Sequence, residues 1–100
     1  MTVEEMAVPV GISLSDAARL IEEAVEGAGL RVSLRGTLAQ YPGSLHWHLK
    51  RGKEAGTLEI TLLNRERYIR FAVHDNRTGI WTTEALAQLA DTLRERLEPA

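Results

Sequence analysis

The stretch LHWHLKRGKEAGTLEITLLNRERYIRFAV, residues 45–73, decides the architecture of this chain. Leu45, Trp47 and Leu49 alternate with His46, His48 and Lys50, and Leu58, Ile60 and Leu62 alternate with Thr57, Glu59 and Thr61. Ile69, Phe71 and Val73 then alternate with Tyr68, Arg70, Ala72 and His74. Successive side chains of a strand point to opposite faces, so this period of two predicts three strands, each with one apolar and one polar face. The connections are a polar, glycine-bounded loop at 51–56 and a polar turn at 64–66. Both are too short for crossovers, so the strands pair antiparallel as hairpins.

Working outward, Leu30, Val32, Leu34 and Leu38 alternate with Arg31, Ser33, Arg35 and Thr37, which adds a fourth strand. Tyr41-Pro42-Gly43-Ser44 reads as a type II turn joining it to the next. Further upstream the period lengthens. Leu14, Ala17, Ala18, Ile21, Ala24, Val25 and Ala28 recur every three or four residues and mark one face of a helix. Ser13 with Asp16 resembles a capping box at its start, and Gly27 and Gly29 supply a left-handed stop. Downstream, Leu86, Leu89, Ala90, Leu93 and Leu97 form the stripe of a second helix, with Thr82 as cap and Trp81 stapled against Leu86. The expected fold is α+β, a two-layer α-β-β-β-β-α arrangement in which both helices pack on one face of a four-stranded antiparallel meander. Residues 1–11 are expected as a flexible or short-strand segment, and residues 12–100 as a single domain.

Composition narrows the function classes. No cysteine is present, which excludes disulfides, thiolate catalysis and cysteine-ligated metals. An acidic start and the lack of a long apolar run predict a cytoplasmic protein that contacts no membrane. The net charge of −2 hides a division along the chain. Residues 1–30 carry six acids against Arg19 alone, −5; residues 31–80 carry nine bases against four acids, +5; residues 81–100 return −2 from four acids and two arginines. Charge asymmetry of this kind bears on partners rather than on fold.

The basic segment coincides with the strands, so the cations gather on the outer face of the sheet. Arg31, Arg35, His46, His48, Lys50, Glu59, Tyr68, Arg70 and His74 are the candidate binding residues. Loop lengths predict a cross-strand row Thr37, His48, Glu59, Arg70 beside a row Ala39, His46, Thr61, Tyr68. Only Tyr68 offers a stacking surface there, whereas sheets that read single-stranded nucleic acid present two or more aromatics.

His46-Trp47-His48 places two imidazoles on one face, as a strand presents metal ligands, and Glu54, Glu59 or His74 could supply a third. The order His-x-His, Glu, His resembles the metal motif of cupin barrels. Its spacing around Gly43 and Glu54 departs from that motif, and four strands between two helices do not build that double-sheet fold. No nucleophile motif, phosphate-binding loop or cofactor fingerprint occurs. The reading is therefore a small non-catalytic binding domain, without cofactor, that contacts an acidic protein or nucleic acid through its outer sheet face. The alternatives are a homodimer formed through that face or through edge strands at 30–39 and 67–75, and a histidine-based metal protein or small hydrolase centred on His46 and His48.

Overall fold

A computed structural model describes residues 1–98, so the last two residues of the expected domain lie outside it. The order of elements is β1 (Thr2–Ala7), α1 (Leu14–Gly27), β2 (Arg31–Leu38), β3 (Tyr41–Lys50), β4 (Leu58–Leu63), β5 (Tyr68–Val73), a 3-10 turn (Asp75–Arg77) and α2 (Thr82–Leu97). The fold is α+β, as the periodicities predict. The sheet has five strands rather than four, in the order β1-β5-β4-β3-β2, and every neighbouring pair is antiparallel.

The extra strand is the N-terminal segment, which pairs along β5 from Thr2 opposite Val73 to Ala7 opposite Tyr68. Its alternation is illegible because only Met6 of its inward side is apolar and buried. Glu4, also on that side, sits at the sheet margin and pairs with Arg94 of α2. The edges are consequently β1 and β2, and β5 is interior.

The inward faces of β3, β4 and β5 are completed by Trp47, Leu49, Leu58, Ile60, Ile69 and Phe71, all without solvent exposure. Ala17, Ile21, Ala24 and Val25 of α1 and Leu86, Leu89, Ala90 and Leu93 of α2 join them in one apolar cluster. Small alanines on α1 suit a helix that lies close against its neighbours, and the shared cluster joins the two layers. Ser13 Oγ accepts a hydrogen bond from Asp16 N at 3.0 Å, the expected N-cap. Of the two glycines at the helix end only Gly29, at φ +73, takes the left-handed conformation. Among the described residues no helix is long and apolar enough to cross a membrane.

Two local expectations are corrected. The β2–β3 turn falls at Ala39 and Gln40, since Leu38 pairs with Tyr41, and Pro42 and Gly43 lie inside β3. Thr82 does not cap α2. Its hydroxyl donates to Gly79 O at 2.8 Å and accepts from Gly79 N at 3.1 Å, closing the turn that leads into the helix. Trp81 is buried, and its indole N–H donates to Ala55 O at 2.9 Å, tying the β3–β4 loop to the start of α2.

Arg67 performs the matching task at the other end of the sheet. At φ +56 it ends the β4–β5 turn, its carbonyl accepts from Val8 N at 2.8 Å, and its guanidinium donates to Pro9 O at 2.9 Å and to Ile12 O. These bonds hold the chain between β1 and α1. Arg67→Ala is expected to destabilise the protein by about 1–3 kcal/mol, because bonds from a charged donor to two carbonyls are lost. The urea unfolding midpoint checks this, and an unchanged midpoint would show that Arg67 does not anchor the segment.

Candidate functional site

Strand register decides which polar groups meet. Across β3 and β4, His46 stands opposite Thr61 and His48 opposite Glu59, as the loop length predicts. Across β4 and β5, Thr61 faces Arg70 and Glu59 faces Ala72, two residues along from the expected pairing. An even shift leaves every residue on its face. Across β2 and β3 the pairing shifts between Val32 and Leu34 and again between Gly36 and Leu38, so Leu34 stands opposite His48 and Gly36 opposite His46.

The first irregularity corrects one candidate. With Ser33 left out of the ladder, its hydroxyl donates to His48 O at 3.2 Å, and the parity of the strand reverses beyond it. Leu34 therefore takes the outer side and is half exposed, while Arg35 turns to the helix side. There its Nε meets Glu22 Oε2 at 3.2 Å and its guanidinium lies 6.0 Å from the centre of the Trp47 ring. Arg35 does not belong to the outer face. Arg31 and Lys50, which pair with each other, do belong to it, as do Arg70, opposite Thr61, and Tyr68, opposite Leu63.

At the centre of that face the side chains converge on one carboxylate. Glu59 Oε1 lies 3.3 Å from His46 Nε2 and 3.6 Å from His48 Nε2, and the two Nε2 atoms are 3.0 Å apart. The imidazoles meet edge to face, their centroids 4.9 Å apart. On the other side of His46, Nδ1 is 2.8 Å from Thr61 Oγ1. The second carboxylate oxygen is held separately, with His74 Nε2 at 3.2 Å and Arg77 Nη1 at 3.9 Å from Glu59 Oε2. Of the sequence candidates, the structure thus brings together His46, His48, Glu59 and His74. Glu54 stays in the loop beside Arg51.

Burial gives the cluster its character. His46 is 8% exposed and the Glu59 side chain 12%, although both lie on the face without helices. Burial lowers the pKa of His46, the neighbouring His48 lowers it further, and Glu59 opposes both. The ring is accordingly neutral at neutral pH.

Hollows flank the cluster. One of about 280 Å³ is bounded by His46, Glu59, Arg70 and His74, with Tyr41 from the start of β3 and Met1 closing its rim. Another of about 510 Å³ lies beyond His48, between Ser33, Lys50 and the Asn76-Arg77 corner. A third, about 560 Å³, opens on the helix side beside α1, where Arg19 and Arg35 are already paired with Glu23 and Glu22. The outer face is therefore concave around the histidines, a property that alternation does not encode.

Two members of the site escape sequence reasoning as site residues. Thr61 reads as an ordinary strand former, and Arg77 lies in an irregular connection whose path depends on Thr57 N donating to Arg77 O at 2.9 Å. Fold and site together define a two-layer α+β domain that carries a histidine–carboxylate centre on its uncovered sheet face. Comparison with protein-family models, with curated protein sequences and with solved structures finds no match to this chain.

Proposed function

We propose that this chain is a small binding domain that takes an acidic protein segment on the outer face of its sheet. The observation that carries the reading is how the cations are partnered on the two sides. On the helix side Arg19, Arg35, Arg94 and Arg96 each face a carboxylate, from Glu23, Glu22, Glu4 and Glu23 respectively. On the outer face, among the described residues, Arg31 donates only to Gly52 O and Lys50 only to Gly56 O. Arg70 Nε is buried with no hydrogen-bond partner among the described residues. Cations satisfied by backbone or by nothing retain the charge an anion needs, whereas ion-paired ones are already neutralised.

The surroundings favour a protein over a nucleic acid. Val3, Leu34, Tyr41 and Tyr68 are exposed beside these cations. Apolar and tyrosine surface interspersed with arginine is the composition of a protein interface, and two separated tyrosines make no continuous stacking platform.

The test is an amide-shift NMR titration with an unlabelled glutamate-rich peptide, in low and then moderate salt. Shifts are expected at residues 31, 48–50 and 68–72, reversed by salt and removed by an Arg31→Glu, Arg70→Glu double variant. Shifts confined to the helices, or none in low salt, would overturn the reading. A parallel titration with a mixed-sequence RNA that moves the same amides while the peptide does not would assign the face to nucleic acid instead.

A further inference from the structure

We infer that His46, His48 and Glu59 form a binding site for a divalent transition metal ion of the zinc class. The inference stands on the geometry of the three ligand atoms and does not rest on the partner reading above.

Three donor atoms, His46 Nε2, His48 Nε2 and Glu59 Oε1, lie 3.0, 3.3 and 3.6 Å from one another. Four ligands placed tetrahedrally at zinc bond lengths of about 2.0–2.1 Å are separated by about 3.3–3.4 Å. The three observed separations straddle that edge length, so side-chain movements of a few tenths of an ångström close the site.

Hydrogen bonding alone accounts poorly for the same triangle. If both imidazoles donate to Glu59 Oε1, two N–H groups oppose each other at 3.0 Å. If His48 donates to His46, or the reverse, the accepting Nε2 carries no proton and no Nε2–H remains for the carboxylate. A cation at the centre satisfies all three lone pairs at once, with both Nε2 atoms unprotonated.

The surroundings match what metal ligands require. An imidazole ligand is oriented through its other nitrogen, and Thr61 Oγ1 stands 2.8 Å from His46 Nδ1. A carboxylate ligand is held through its spare oxygen, and His74 and Arg77 stand at Glu59 Oε2. Both ligand-bearing strands are interior to the sheet, so their backbones are fixed by pairing on both sides.

Donor chemistry selects the ion. Two imidazole nitrogens and one carboxylate oxygen suit zinc and its first-row neighbours, whereas magnesium and calcium take oxygen ligands throughout. A set of three protein ligands leaves the fourth tetrahedral position to water or an exogenous donor. His46 and Glu59 both line the 280 Å³ hollow that Arg70 also lines, so a small anion reaching that position meets a cation beside the metal.

The full chain, treated with EDTA and freed of it by dialysis, would be titrated with zinc sulfate by calorimetry and with cobalt chloride by visible absorption. One zinc per chain is expected, together with the intense visible bands of four-coordinate cobalt. His48→Ala and Glu59→Gln should each weaken zinc roughly tenfold or more, and Thr61→Val by a smaller factor. Circular dichroism establishes that each variant is folded. Should Glu59→Gln fail to fold, His48→Ala, at the more exposed position, carries the comparison with cobalt absorption as its readout. The absence of zinc binding by the native chain, or binding that both variants leave intact, or equal binding of magnesium, would overturn the inference. Repeating the acidic-peptide titration in EDTA separates the two proposals, since peptide shifts that persist there depend on the cations and not on the metal.

Discussion

Replacing Gly79 by alanine is expected to lower stability by about 2–4 kcal/mol, an overpacking cost compounded by lost hydrogen bonds. A Cβ built on Gly79 lies 2.1 Å from Ala55 O and 3.2 Å from Trp81 Nε1, and the same Ala55 carbonyl accepts the indole N–H. The obstacle is backbone on one side and a buried ring on the other, so neither yields by rotation. Gly56 lies against the same point. Its own Cβ would come 2.9 Å from Gly79 N, and its φ of +109 is a conformation that residues with a side chain rarely adopt. Two chain segments thus cross at a pair of glycines, and the crossing fixes the corner that carries Arg77. For a domain of this size the loss corresponds to roughly 10–25 °C in the melting midpoint. Gly36→Ala is the control, since a Cβ there meets nothing within 4 Å, and its midpoint should stay within a few degrees. A Gly79→Ala protein as stable as the native one would show that the crossing relaxes freely.

The same crossing shows why part of the site was readable from residues and part was not. Parity alone puts His46, His48 and Glu59 on one face, and the 51–56 loop sets the register that brings His48 opposite Glu59. Both inferences need only local alternation and a loop length. Arg35 lies on the side opposite to the one alternation predicts because one unpaired residue, Ser33, reverses parity, and nothing in the spacing of Val32, Leu34 and Leu38 announces a bulge. Pro42-Gly43 is a strong turn signal that the hairpin does not use, its tight turn lying at Ala39-Gln40. β1 was unreadable as a fifth strand because Glu4 and Glu5 interrupt its apolar pattern, and an edge strand needs little burial to pair. Arg77 enters the site only through the crossing at Gly56 and Gly79, which is tertiary and leaves no periodic trace. The helices and the three central strands were legible because their periodicity is the packing itself.

Trp47→Ala should produce the largest loss of all, about 3–5 kcal/mol, as large-to-small changes at fully buried aromatics do. Trp47 has no solvent exposure and stands between two histidines that both point the other way. Its ring is therefore the inward pin of the strand that presents His46 and His48 outward. The indole N–H meets Glu22 Oε2 at 3.4 Å, a long bond, and Arg35 lies over the ring, so the polar contributions are small beside the apolar one. Set against the 5–15 kcal/mol typical of a domain, the alanine variant leaves a marginal fold, whereas Trp47→Phe keeps most of the buried surface and should lose only about 1–2 kcal/mol. Denaturant unfolding of the two variants separates the contributions. Near-equal losses would place the stabilisation in the Glu22–Arg35 contacts and not in the ring. The phenylalanine variant should also bind cobalt with unchanged absorption, because the imidazoles are set by strand parity and by Thr61 and Glu59, none of which touch the indole N–H. A changed cobalt spectrum in a folded Trp47→Phe protein would mean that the core side chain, and not the register of β3 and β4, positions the two histidines.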